Sequence, residues 1–273
     1  MTDMAMSAPL PTLIGLPYDA SSSYRRGPAR GPAAIREALR CESTNTWSES
    51  LRDMAGLRDF GDVLLPEGDG VVARIEAGVR ELLESGGAPI ALGGDHSVTY
   101  PILRAVGPRH PGLTLLHLDA HPDLYEDFMG DRFSHACPFA RIMEEGLAAR
   151  LVQVGIRTMN GHLRQQADRF GVEVIDMRAW AAGERPELQG PLYVSIDMDA
   201  FDPAFAPGVS HVEPGGLTSR EVIGLLQGLP GPLVGADVVE CNPGQDPLGI
   251  TAPLGAKLVK ELASRMIEAG TLP

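Results

Sequence analysis

Short, continuously apolar runs alternate along this chain with stretches in which apolar residues recur every three or four positions. The runs fall at residues 12–15, 89–92, 113–118, 151–156, 172–175, 192–196 and 233–239. Several lack the polar alternation of a half-exposed strand, as strands covered on both faces should. Ile75, Val79, Leu82 and Leu83 fall on one helical face, which Gly86-Gly87 terminates. Pro32 stands just inside a helix start at Gly31, where its missing N–H costs least. Thr218-Ser219-Arg220-Glu221 has the form of a capping box ahead of Val222, Leu225 and Leu226. Leu254, Leu258, Leu262 and Met266 step by four, the stripe of a helix packed on one side. Strands and helices alternating over the whole length predict an α/β sandwich around a mostly parallel sheet. No repeat or low-complexity tract divides the chain, so residues 1–273 are expected to form a single domain.

Composition agrees with a packed globule: 44% of residues are hydrophobic, and 32 Gly and 23 Pro sit in short turn-like segments. A net charge of −13 repels phosphates, so nucleic acid and anionic membranes are not expected partners. The same field modestly favours a cationic substrate, although net charge speaks mainly to solubility. Cys41, Cys137 and Cys241 have unrelated spacings and form neither a disulfide framework nor a thiolate zinc motif. The first 19 residues lack the basic and apolar regions of a secretion signal, and no apolar run is long enough to span a bilayer. A reducing compartment, most simply the cytoplasm, is the expected location.

The chemistry is concentrated where apolar runs end. Leu115-Leu116-His117-Leu118 leads into Asp119-Ala120-His121-Pro122-Asp123, with acid, imidazole and acid at alternate positions. Alternate residues of an extended chain point to one side, so Asp119, His121 and Asp123 can converge. Tyr193-Val194-Ser195-Ile196 leads likewise into Asp197-Met198-Asp199, and Ile90-Ala91-Leu92 into Gly93-Gly94-Asp95-His96. In a parallel sheet such carboxyl ends share one edge. Singly, His96 reads equally as a turn histidine, and Asp199 as a turn or cap. Together, four acids and two imidazoles at strand ends would be costly to bury without metal. That donor set suits Mn²⁺ above thiolate-bound zinc. Six ligands also suit two ions about 3.5–4 Å apart, as in two-metal hydrolases. His117 reads as core or as support behind the ligands, and Asp95 and Asp202 as supports for loop backbone.

These three segments, including Ser195 through Pro203, resemble the metal motifs of the ureohydrolase family: arginase, agmatinase, guanidinobutyrase and formiminoglutamase. The similarity begins at Gly15-Leu16-Pro17-Tyr18-Asp19 and ends at Asp246-Pro247-Leu248-Gly249-Ile250-Thr251-Ala252. It implies an arginase-like three-layer α/β fold with a central eight-stranded parallel sheet, assembled as homo-oligomeric trimers or hexamers. It further implies two Mn²⁺ per chain, with Asp119 and Asp197 bridging. His96 and Asp123 would complete one ion's set, and His121 and Asp199 the other's. The Phe133-Ser134-His135-Ala136-Cys137 segment resembles the one that carries the proton-shuttling histidine, here His135, with Ala136 where familiar members have Gly. Asp237-Val238-Val239-Glu240 resembles the segment whose glutamate, here Glu240, holds the guanidinium. Asp123 would orient the attacking water.

The resemblance implies hydrolysis of a guanidinium C–N bond in a small cationic substrate. The loop 124–134 lacks the Ser-Gly-Asn-type pattern of arginases, and its acids Glu126, Asp127 and Asp131 suit an amine tail, with Arg132 opposing. Agmatine, giving putrescine and urea, is therefore the expected substrate, within polyamine metabolism. Arginine, guanidinobutyrate and formiminoglutamate are the alternatives. His211 and Glu213, in the loop after the last metal motif, are candidate pocket residues. A non-catalytic metal-binding assembly subunit and a single-metal deacetylase are the readings of other kinds.

Overall fold

The computed structural model describes residues 10–68 and 70–270. Among the described residues there are eight strands: β1 (Leu10–Leu16), β2 (Arg58–Asp62), β3 (Gly87–Gly93), β4 (Thr114–Leu118), β5 (Arg150–Ile156), β6 (Glu173–Asp176), β7 (Leu192–Asp197) and β8 (Leu233–Val239). They form one sheet in the order β2-β1-β3-β8-β7-β4-β5-β6, and every pairing is parallel. The expected eight-stranded arginase-like sheet is thus found, parallel throughout.

Successive strand residues point to opposite faces, and each face has its own helices. On one side Ile90, Leu116, Val194 and Val238 pack with α1 (Gly31–Arg40), α7 (Ser219–Gln227) and α8 (Thr251–Gly270). On the other, Ala91, Leu115, Tyr193 and Val239 meet α2 (Val71–Glu84), α3 (Thr99–Val106), α4 (Pro138–Glu144) and α5 (Gly161–Phe170). The short α6 (Met177–Ala181) follows β6 and seats Trp180 in the first core. The predicted stripes are the buried faces: Ile75, Val79 and Leu82 of α2, and Leu258, Leu262 and Met266 of α8. Thr218 and Glu221 close the capping box reciprocally at the start of α7.

No apolar run announces β2. Its sequence, Arg-Asp-Phe-Gly-Asp, is mostly exposed at the sheet edge, where a short charged strand resists pairing with another chain. Arg36 of α1 holds it through Asp59 (Nε to Oδ2, 3.0 Å) and Asp62.

For function, the decisive fact is strand order. β3, β8, β7 and β4 are consecutive in space although 21 to 144 residues separate their chemical segments in sequence, counting from His96 to His117 and to Glu240. Register aligns them: Leu92 pairs with Val238, Val239 with Asp197, and Ile196 with Leu118. The residues just beyond those positions emerge at one edge.

Candidate metal centre and active site

The edge collects the six sequence-predicted ligands. Nδ1 of His96 lies 3.1 Å from Asp119 Oδ2, 3.2 Å from Asp123 Oδ2 and 3.2 Å from Asp197 Oδ2. Nδ1 of His121 lies 3.3 Å from Asp119 Oδ1 and 3.1 Å from Asp199 Oδ2. Asp119 therefore faces both imidazoles with different oxygens. All four aspartates and His96 are buried, and His121 is partly open to the cavity above.

The local backbone is shaped to this end. The Asp199 amide donates to Asp197 Oδ1 (2.7 Å), and the His121 amide to Asp119 Oδ1 (2.6 Å). Asp123 and Glu240 adopt φ of 48° and 60°, a left-handed conformation that side chains adopt at a cost of about 1–3 kcal/mol. Asp95 and Asp202 hold loops: Asp95 accepts from the Ser97 and Ser21 amides, Asp202 from those of Ala204 and Gly215.

Hydrogen bonds behind His96 assign its hydrogen. Ser195 Oγ donates to Asp237 Oδ1 at 2.6 Å, so its lone pair must accept from His96 Nε2 at 2.9 Å. Tyr193 and Thr99 hydroxyls also donate to Asp237. In the neutral ring Nδ1 then presents a lone pair to three acid oxygens, and it is buried with no hydrogen-bond partner. A shared cation is what makes such an arrangement favourable, with the outer hydrogen bond fixing the tautomer.

Protonation of the imidazoles is the alternative to a cation for relieving this crowding of acids. Burial works against protonation of His96, yet Asp119, Asp123 and Asp197 hold it well above the usual imidazole range. Asp199 and Asp119 do the same for His121 against its burial. Burial, with the charges of Asp199 and Asp119, drives Asp197 well above the carboxylate range, and burial lifts Asp199 to about 6. His117, His121 and His96 hold Asp119 well below that range despite its burial. These donors fit divalent cations of the hard-to-borderline kind.

His117 lies near enough to His96 and Asp119 to complete a metal-sized group. Its hydrogen bonds give it another task. Gln153 Nε2 donates to the Pro122 carbonyl (2.7 Å), which fixes that amide's orientation, and also lies 3.0 Å from His117 Nδ1. Nδ1 accepts, so Nε2–H donates to Asp119 Oδ2 at 2.8 Å. His117 stacks on Phe139 (centroids 3.7 Å apart) and supports the acid from behind.

Above the centre is a cavity of about 290 Å³. His135 and Glu240 form one wall, with His135 Nδ1 3.4 Å from Glu240 Oε1. Burial lowers His135, but Glu240, Asp123 and Asp95 more than offset it and raise the ring to about 9. Glu240 Oε1 accepts the His96 amide (3.0 Å), while Oε2 is buried without a partner. His211 and Glu213 also line the cavity; the His211 ring stacks on His135 (5.2 Å, 20°).

Other lining residues had no signature in the sequence: Ser23, Tyr125, Phe128, Thr158 and Leu163. Nor did Arg157, whose guanidinium donates to the carbonyls of Glu213 (3.0 Å from Nε), Asp199 (2.6 Å) and Phe201 (3.3 Å). It staples the loop that bears Asp199 to the one that bears Glu213. The sole hint was an arginine immediately following an apolar strand. The acids of loop 124–134 point elsewhere: Glu126 pairs with Arg169, Asp127 accepts the Gly130 amide and Asp131 that of Phe133. Arg132 pairs with Glu144. None of these four lines the cavity, so the physical basis for expecting an amine-tailed substrate is removed.

The model of the arginase family matches residues 11–264. An arginase 1, mitochondrial, of Arabidopsis thaliana is 47% identical, with 93% of this chain and 80% of that protein covered. A guanidinopropionase of Pseudomonas aeruginosa is 38% identical over 94% of this chain and 86% of its own. The solved arginase from Medicago truncatula superposes with a TM-score of 0.90 at 43% identity, covering 95% of this chain and 88% of that one. A parallel sheet with this centre on its carboxyl edge defines a metal-dependent hydrolase of C–N bonds in linear amidines. The chain belongs to the arginase family.

Proposed function

We propose that this chain is a manganese-dependent arginase that hydrolyses L-arginine to ornithine and urea. The observation that carries the reaction is the buried, unpartnered Oε2 of Glu240 beside His135, directly above the acid–imidazole centre. The preference for arginine over agmatine rests on the relatives named arginase and on the engagement of Glu126, Asp127 and Asp131 away from the cavity.

His96, Asp119, His121, Asp123, Asp197 and Asp199 would hold two Mn²⁺ ions. When bound, the ions supply Lewis acidity and lower the pKa of water toward neutrality. Glu240 accepts charge-assisted hydrogen bonds from the planar guanidinium and presents its central carbon. Asp123, held in its left-handed conformation, accepts a hydrogen bond from the attacking water and aims it. Glu240, 3.4 Å from Nδ1, favours the protonated form of His135, the ring placed beside the leaving nitrogen. His135 delivers its proton to that nitrogen as the C–N bond breaks. His211 and Glu213 border the substrate tail.

Residues 1–273 act in this reading as one catalytic domain assembled into a homo-oligomer, which light scattering checks. A reducing compartment, in the simplest case the cytoplasm, suits its three free thiols. The test of function is an initial-rate comparison of arginine, agmatine, guanidinobutyrate and formiminoglutamate with Mn²⁺ present. Arginine should show the highest kcat/KM. A higher value for agmatine restores the amine-tail reading. Full metal occupancy with neither urea nor formamide released from any of the four makes the chain a non-catalytic subunit.

A further inference from the structure

His135 is held by more than its own motif. Nδ1 faces Glu240, and Nε2 lies 2.8 Å from the hydroxyl of Ser23, which is exposed at the mouth of the cavity. Ser23 belongs to the polar segment between β1 and α1, far from every metal motif. We propose that Ser23 is a positioning residue for the hydrolysis, keeping the His135 imidazole aimed at Glu240 and the leaving nitrogen through its changes of protonation. This role rests on the function proposed above.

A hydroxyl is suited to the task because it both donates and accepts. The doubly protonated ring donates Nε2–H to Ser23 Oγ. After Nδ1 gives up its hydrogen, the same Nε2–H contact persists. In the other neutral tautomer the Ser23 hydroxyl donates to Nε2. The ring edge thus keeps a partner in every state, while His211 stacks on its face.

Ser23 is itself placed by anchors on both sides. Before it, the Ser21 amide donates to Asp95 Oδ2 (3.0 Å), and the His135 amide donates back to the Ser21 carbonyl (3.3 Å). After it, the Arg25 carbonyl accepts from Ser210 Oγ (2.8 Å) and Asn242 Nδ2 (3.0 Å). Arg25 takes φ of 43° to make that turn. Gly27 follows at φ of 151°, and a Cβ there would meet Asn242 Oδ1 at 2.2 Å, so the close approach requires glycine. The segment is a strap tied to the His96 loop on one side and to the His211 loop on the other. Holding a catalytic group within narrow limits by such second contacts is what efficient proton transfer requires.

The test compares Ser23→Ala and Ser23→Thr with the parent, in urea release from arginine, manganese per chain and thermal midpoint. Ser23→Ala should lower kcat about tenfold with KM changed less than about twofold, part of the larger factor a general acid contributes. Metal content and midpoint should not move, and Ser23→Thr, which keeps the hydroxyl, should restore most of kcat. The proposal is overturned if Ser23→Ala keeps kcat within about twofold of the parent, if its loss is accompanied by lost metal, or if threonine fails to rescue it. A parent inactive on every guanidine overturns the underlying function. An active parent with an unaffected alanine variant removes Ser23 alone.

Discussion

Two regions of this molecule bury charge in opposite ways. In the seam between α7, α8 and residues 45–50, Glu261 is buried, and both its oxygens are occupied. Oε1 accepts from the Glu49 amide (2.9 Å) and Lys257 (2.6 Å), Oε2 from Gln227 (3.0 Å). Arg265 is equally committed, to the carbonyls of Leu229 (2.9 Å from Nε) and Gly231 (3.0 Å). At the carboxyl edge of β3, β8, β7 and β4, His96 Nδ1 and Glu240 Oε2 are buried without hydrogen-bond partners, and Asp123 and Glu240 are backbone-strained. Buried groups normally have partners because an unpaired one costs about 1–3 kcal/mol. The seam satisfies that rule from within the protein. The edge departs from it where cations and a guanidinium would complete the pairing.

The contrast is most exposed at Asp119, which faces both imidazoles. Asp119→Asn should lower kcat by about a thousandfold or more and reduce bound manganese, read by urea release and elemental analysis. Retention of full metal and activity would show that the edge is paired internally, like the seam. His135→Asn should cost about a hundredfold in kcat while leaving manganese content intact. Equal loss of metal would make His135 a ligand and enlarge the centre.

At the seam only stability should respond. Burial raises the Glu261 carboxyl, but Gln227, Lys257 and the Glu49 amide outweigh it and hold the pKa below its ordinary 4.5. A depressed pKa stabilises the fold above the ordinary value, and that stability is lost as pH falls through the lowered one. Glu261→Gln should therefore cost about 1 kcal/mol at pH 7, allowing for solvent screening on the half-buried Lys257 side of the pair, and the deficit should shrink in thermal melts below about pH 4. Activity per folded chain should be unchanged. Of similar size is Thr218→Ala, which removes one half of the α7 capping box, for about 1 kcal/mol or a midpoint about 2–4 °C lower. A fall in activity exceeding the loss of folded protein in either variant would join the two regions.

Much of the fold was legible because it follows local pattern. Apolar runs marked the strands from β3 to β8 except for small shifts at their ends, and the stripes at 75–82 and 258–266 marked the buried faces of α2 and α8. Strand β2 was not legible: its polar, exposed residues are strand-like only through pairing with β1 and through Arg36. The six acids and imidazoles were legible because their type and alternation are rare at the ends of apolar strands. Ser23, Gln153 and Arg157 were not, since serine, glutamine and arginine in loops and strands have many uses, and only spatial neighbours assign one.

The substrate tail shows the same limit most clearly. Three acids in loop 124–134 suggested an amine, yet their partners are Arg169 and two backbone amides of the loop itself.

What the amino-acid sequence determined alone was the inventory: which strands are buried, which residue types end them, and a donor set that suits divalent cations, while the class of reaction came through the resemblance of those segments to a known family. Tertiary structure decided adjacency. It set β3, β8, β7 and β4 side by side, turned Asp119 toward two histidines, directed Glu126, Asp127 and Asp131 away from the cavity, and brought Ser23 to His135. The reason is that hydrophobic periodicity is a local property, written in each segment's own residues. A hydrogen bond between positions 23 and 135 exists only after the chain has folded across a separation of 112 positions to close it.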